Sequence, residues 1–172
     1  MKIFGLAGWS NSGKTTLMIA LVQALTARGF RVSTVKHAHH KFDVDQPGKD
    51  SYRHREAGAT EVLVTSGTRW ALMHELRGEE EPTLEDLLPR MAAVDLVLIE
   101  GFKRHPHDKI EVHRPTVGKE PLWPGDPSIV AVASDEVIPA LDRPRLDLND
   151  PEAVADFILA RIGLPHRKDP AA

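Results

Sequence analysis

Apolar residues along this chain fall into two rhythms, short continuous runs and helical spacings, and their order predicts an α/β protein. Residues 2–7 form a short apolar run that ends at Gly8, and from Lys14 the residues Leu17, Ala20, Leu21, Ala24 and Leu25 recur at helical spacing. Gly29 is expected to close that helix, and the β-branched run 31–36 (RVSTVK) reads as the next strand. Strand, helix and strand make a βαβ unit whose two strands are expected to be parallel neighbours.

The pattern then turns polar from His37 to Lys49, and a short helix over 51–57 stops at Gly58. Runs 61–65 and 69–76, around Ser66-Gly67-Thr68, read as an antiparallel hairpin. Thr83 opens a helix carrying Leu84, Leu87, Leu88 and Met91, with a kink expected at Pro89. Residues 94–99 (VDLVLI) and 129–133 (IVAVA) have the continuous apolar character of buried strands, whereas 109–113 mixes charge with apolar residues and reads as an edge strand. After the run 145–148, Asp150 as N-cap, Pro151 at the first helical position and Gly163 at the end bracket a helix with Val154, Phe157, Ile158 and Ile162 on its apolar face. The expected fold is a P-loop NTPase-type, mostly parallel sheet flanked by helices, with an added antiparallel hairpin.

With 172 residues the chain suits one domain, taken as 1–164 with a polar tail at 165–172. A net charge of −3 lacks the cationic excess of nucleic-acid binders, so any anion site must be local. No segment approaches the roughly 18 consecutive apolar residues of a membrane span, and the apolar stretch 3–9 leads into a helical pattern rather than a cleavage site, so no membrane association and a cytoplasmic location are expected. Zero cysteines exclude disulfides, Cys-ligated zinc, iron–sulfur clusters and thiol nucleophiles.

Local anion chemistry is written between the first strand and the first helix. Gly8-Trp9-Ser10-Asn11-Ser12-Gly13-Lys14-Thr15 matches G-x-x-x-x-G-K-[ST] in full, in the strand-to-helix context where its backbone N–H groups converge on phosphate oxygens. Gly8, Ser10, Asn11, Ser12, Gly13, Lys14, Thr15 and Thr16 are the expected nucleotide-binding run, Thr16 reading also as a cap or packing residue. Lys14 would reach the β- and γ-phosphates and Thr15 would offer its hydroxyl to Mg²⁺. Glu100, ending the most apolar strand, is the expected second Mg²⁺ residue, and Gly101 lets the backbone approach a γ-phosphate. Asp95, at the other end of that strand, is too distant to share the metal. The segment 36–51 follows the second strand and is expected near the phosphates. Its histidines leave three readings open: contact with a second phosphorylated ligand, a transition metal held by His37, His39, His40 and a carboxylate, or a solvated loop. Trp70 and Trp123 read as core or interface residues, while Trp9 stands where it could cover a ligand.

Three blocks in order, GWSNSGKTTL, then VKHAHH with DVDQPGKDSYRHREAGA, then DLVLIEGFK, resemble the molybdopterin-guanine dinucleotide biosynthesis protein B (MobB) family over most of residues 2–163. The resemblance implies a GTP-binding, weakly hydrolysing accessory protein in molybdenum cofactor maturation, with Mg²⁺, a homodimer built through an extended sheet, and a guanylyltransferase partner that joins GMP to molybdopterin. It also makes His37, Asp45, Lys49 and Asp50 candidates for a second ligand site, molybdopterin among the possible ligands. The usual guanine-reading N-K-x-D motif is absent, and Asp135 is the candidate for guanine's Watson–Crick edge. No water-orienting glutamine or arginine finger is evident, so slow hydrolysis is expected. Two alternatives use the same loop: a small-molecule kinase drawing on Arg53, Arg55 and Arg104, and a metal-delivery GTPase.

Overall fold

A computed structural model describes residues 1–38, 42–102 and 105–165. The chain divides into two compact units, one of residues 1–37 and 92–172 and the other of residues 38–91.

The first unit is built on six parallel strands: β1 (Lys2–Ala7), β2 (Val32–Lys36), then after the second unit β5 (Leu96–Glu100), β6 (Lys109–Val112), β7 (Ile129–Ser134) and β8 (Arg145–Asp147). Their order across the sheet is β2-β5-β1-β6-β7-β8. Phe4 pairs with Leu98, Leu6 with Ile110, and Ile110 with Ala131, so rows of apolar side chains line one face. That face packs with helices α1 (Lys14–Ala27) and α4 (Pro151–Ile162) in one cluster holding Leu17, Leu21, Leu25, Val154 and Ile158. Leu21, Leu25 and Ile158 are fully buried, each contributing about 1.5–3 kcal/mol of hydrophobic stabilisation. Both helix boundaries follow local chemistry. Gly13 in the left-handed region starts α1, while Asp150 accepts from the Ala153 N–H ahead of α4 and Gly163 in the left-handed region closes it.

Three features differ from the pattern reading. β1 and β2 are parallel but not neighbours, because β5 lies between them. The reason is burial: Leu96, Val97, Leu98 and Ile99 are all fully enclosed and need strands on both sides, whereas β2 is partly exposed along its length and suits the edge. β6 is not an edge strand but sits between β1 and β7 with all four residues buried. Its charged positions are satisfied internally. Lys109 donates to the His105 carbonyl and to Ser128 Oγ, and Glu111 accepts from the Leu122 and Trp123 N–H groups. The third difference lies in the second unit.

That unit holds α2 (Asp50–Glu56), the antiparallel pair β3 (Glu61–Thr65) and β4 (Trp70–His74), and α3 (Leu84–Leu87). The helix opened by Thr83 is a single turn, started by a capping box with Asp86 and replaced by a 3-10 turn at Leu88–Arg90, since Pro89 has no N–H to continue the α pattern. Arg55 ties the unit together by pairing with Asp43, Asp45 and Glu75 at 2.8, 3.2 and 2.8 Å. The same guanidinium holds the Asp43 carboxyl below its ordinary range.

Candidate functional site

Because all six strands run the same way, the residues that follow their C-terminal ends share one edge of the sheet. The loop 8–13 leaves β1 at that edge, Lys36 ends β2, Glu100 ends β5, Arg114 follows β6, Asp135 follows β7 and Asn149 follows β8. β1 stands where successive connections change direction, the crevice at which open α/β sheets take ligands.

The loop has the backbone its glycines and asparagine permit. Gly8 has φ 137°, and a Cβ there would lie 2.4 Å from the Val112 carbonyl oxygen, so only glycine lets the loop pass so close to β6. Asn11 takes the left-handed region at φ 65°. The Lys14 ammonium donates to the Trp9 carbonyl at 2.6 Å and so curls back over the loop. Ser12 Oγ is buried without a hydrogen-bond partner among the described residues, a polar atom inside the loop. A cleft of about 480 Å³ opens beside the loop, lined by Ser10, Asn11, Gly13, Lys14, Thr15 and Thr16 together with Lys36 and Glu100. Thus the loop residues expected to meet phosphate and the carboxylate expected at Mg²⁺ border one cavity. Thr15 and Glu100 supply the hard oxygen donors that Mg²⁺ prefers.

Glu100 is directly in register with Lys36 across the β2–β5 pair, and the two side chains meet at 3.9 Å. Asp95, at the opposite end of β5, accepts from the Arg31 N–H at 2.8 Å. Gly101 has φ 100°, and a Cβ there would meet the Cβ of His37 at 2.6 Å, so its glycine is required by the neighbouring chain as well as by any ligand. His37 packs against Phe102 with ring centroids 4.8 Å apart.

Sequence reasoning missed Arg114. Its guanidinium donates to the Ser12 carbonyl at 3.2 Å and to Asp135 at 2.6 Å, linking the loop to the end of β7. Asp135 therefore has one oxygen on Arg114, while Oδ1 is buried with no partner among the described residues. Arg114, Leu148, Asn149 and Pro151 also border a pocket of about 230 Å³ that reaches Gly13 and Thr16. The signal lay in the position of Arg114 just past a strand, obscured by reading that strand as an edge. Trp9 donates its indole N–H to the Glu120 carbonyl at 2.7 Å. Trp123 is core, and Trp70 is exposed.

The remaining candidates belong to the second unit, apart from His37. Asp45 is engaged inside it, accepting from Ser51 Oγ, from the Gln46 N–H and from Arg55. Burial works against its charge, but those hydrogen bonds hold its carboxyl below the ordinary value. Lys49 precedes α2 and Asp50 begins it, both exposed. Arg55 is committed to three carboxylates, and Arg53 lies 4.0 Å from Asp50. His39, His40, Arg104 and the tail from 166 lie outside the described residues.

Comparison with known proteins agrees with this architecture. The family model for "Molybdopterin guanine dinucleotide synthesis protein B" (MobB) matches residues 3–135. A molybdopterin-guanine dinucleotide biosynthesis adapter protein of Escherichia coli is 47% identical over 160 residues, covering 91% of each chain. The protein of the same description from Haemophilus influenzae is 43% identical, covering 91% of this chain and 86% of its own. A crystal structure of a MobB protein homologue from Bacillus stearothermophilus superposes with a TM-score of 0.71 at 27% identity, over 96% of this chain and all of that one. No helix among the described residues is long and apolar enough to cross a membrane. On sequence and fold together, the chain belongs to the MobB family.

Proposed function

We propose that this protein binds Mg²⁺–GTP in the cleft beside residues 8–16 and acts in the cytoplasm as an adapter in molybdopterin guanine dinucleotide synthesis, working with the guanylyltransferase that consumes GTP. The observation that carries this reading is the single cleft bordered by Ser10, Asn11, Gly13, Lys14, Thr15 and Thr16 of the phosphate-binding loop and by Glu100. Lys14 and the loop amides bind the β- and γ-phosphates, while Thr15 and Glu100 hold Mg²⁺, which supplies charge neutralisation between phosphate oxygens. The pocket beside Arg114, Leu148 and Asn149 is the candidate place for the base, and Asp135, held by Arg114 though not itself a lining residue, is the candidate for guanine preference. Turnover is expected to be slow, since the described residues lining the cleft include neither glutamine nor arginine. Asp45, Lys49 and Asp50 of the second unit are the candidates for contact with a second ligand, molybdopterin.

The adapter is a homodimer. Support comes from the hairpin, where Leu63 faces Leu72 and Thr65 faces Trp70 across the strands, leaving Leu63, Trp70 and Leu72 exposed on one face. The family descriptions of its relatives as adapters in this biosynthesis support the role.

Calorimetric titration with GTP and Mg²⁺ tests the reading. Saturable binding is expected, abolished by Lys14→Ala, and GTP should raise dinucleotide formation when the protein is added to molybdopterin and the transferase. Equal GTP affinity in Lys14→Ala would overturn it.

A further inference from the structure

Lys36 shares the cleft with the phosphate-binding loop, yet it belongs to neither the loop nor the Mg²⁺ pair. It is the last residue of β2, held opposite Glu100 by the parallel register of β2 and β5, so its starting point at the cleft is fixed by the sheet. Its ammonium lies 3.9 Å from Glu100 Oε2, a loose contact, and the two side chains differ in freedom: Lys36 is 64% exposed and Glu100 only 14%. The carboxylate is largely enclosed, and the lysine is the partner with room to move.

We infer that Lys36 is a γ-phosphate sensor, resting on Glu100 in the absence of a metal and transferring its ammonium to the terminal phosphate when Mg²⁺ takes that carboxylate. This rests on the nucleotide reading above. An ammonium and a divalent cation compete for one carboxylate, and the divalent ion with its higher charge density displaces the lysine. The released ammonium carries three rotatable donors on a flexible stem, and the nearest concentration of negative charge is then the phosphate chain held by the loop. Lys14 comes to that chain from the helix side of the cleft and Lys36 from the far side, past Glu100 on the neighbouring strand. A nucleoside diphosphate satisfies the loop and Lys14 but lacks the oxygen nearest Glu100. Lys36 therefore distinguishes tri- from diphosphate, and it does so only when Mg²⁺ has freed it.

Calorimetry of GTP and GDP binding, with Mg²⁺ and with EDTA, tests this on the unmodified protein, Lys36→Ala, Lys36→Arg and Glu100→Gln. In Mg²⁺, Lys36→Ala is expected to lose about tenfold or more in GTP affinity while GDP affinity stays within about twofold, as for loss of one charge-assisted hydrogen bond. Lys36→Arg should retain the preference. Glu100→Gln, which releases the lysine without a metal, should show a preference for GTP in EDTA that the unmodified protein lacks. A structural role for Lys36 would weaken both nucleotides alike, and an unchanged GTP-to-GDP ratio in Lys36→Ala would overturn the inference while leaving nucleotide binding intact. Failure of the unmodified protein to bind either nucleotide would instead remove the nucleotide reading, and this inference with it.

Discussion

Burial at His107 ties the stability of the first unit to pH. The ring packs against β1 so closely that a Cβ on Gly5 would lie 2.3 Å from its Nε2, and that nitrogen is buried with no partner among the described residues. Burial, with the Lys109 ammonium and His105 beside it, lowers the imidazole from 6.5 to about 4. The direction of the effect follows. Above pH 6.5 the ring is neutral in both the folded and unfolded chain and makes no difference. Below it the unfolded chain takes up the proton first, and the folded state is penalised progressively until the pH reaches the folded value. Chemical unfolding is therefore expected to show a loss of about 2 kcal/mol between pH 7.5 and 5 from this ring. His113, lowered mainly by burial, acts in the same direction. His107→Gln should flatten the profile over that interval, and a variant profile as steep as the original would exclude His107 as the cause.

Among the strands, β6 departs furthest from its sequence pattern. Its sequence Lys-Ile-Glu-Val alternates charge with apolar residues, which by periodicity is a half-exposed strand, but Ile110 and Val112 face the helices while Lys109 and Glu111 are enclosed on the other side. Burial raises the Glu111 carboxyl above its ordinary value even as it accepts from the Leu122 and Trp123 N–H groups. Such a partner, eleven and twelve residues away with prolines between, has no periodic signature. Glu111→Ala leaves two enclosed N–H groups without an acceptor and is expected to cost about 2–4 kcal/mol in urea unfolding, with Glu111→Gln costing about half as much. An unfolding midpoint for Glu111→Ala equal to that of the unmodified protein would show that water serves those amides. By contrast β1, α1, the hairpin and α4 are legible in the sequence because their signals are local: an apolar run, a 3.6-residue spacing, a three-residue turn, a cap at each end. The phosphate loop is legible for the same reason. Lys36 is legible as the start of the segment expected near the phosphates, whereas Arg114 is not, because its place depends on strand order, and strand order depends on which strands need cover on both sides.

For the whole molecule, the two compact units carry different chemistry: the first holds the cleft, and the second presents apolar surface to solvent. A two-stranded hairpin is marginal in water by itself, and here one face is supported by burial of Val62 while the other leaves Trp70 at 66% and Leu63 at 61% exposure. Exposed apolar side chains clustered on one hairpin face, rather than scattered singly, favour association, and a second copy of the same hairpin offers a complementary face by two-fold symmetry. The double substitution Trp70→Ser with Leu72→Ser removes that face while touching no enclosed residue, so the fold should survive within about 1 kcal/mol. Sedimentation of the unmodified chain of 19.0 kDa is expected to give twice that mass at micromolar concentration and the double variant the mass of one chain. GTP binding at the cleft should be unchanged in the variant, since every cleft residue lies in the first unit. A variant that sediments as the unmodified protein does would move the dimer contact away from the hairpin, and loss of GTP affinity on dissociation would mean that the second copy completes the nucleotide site.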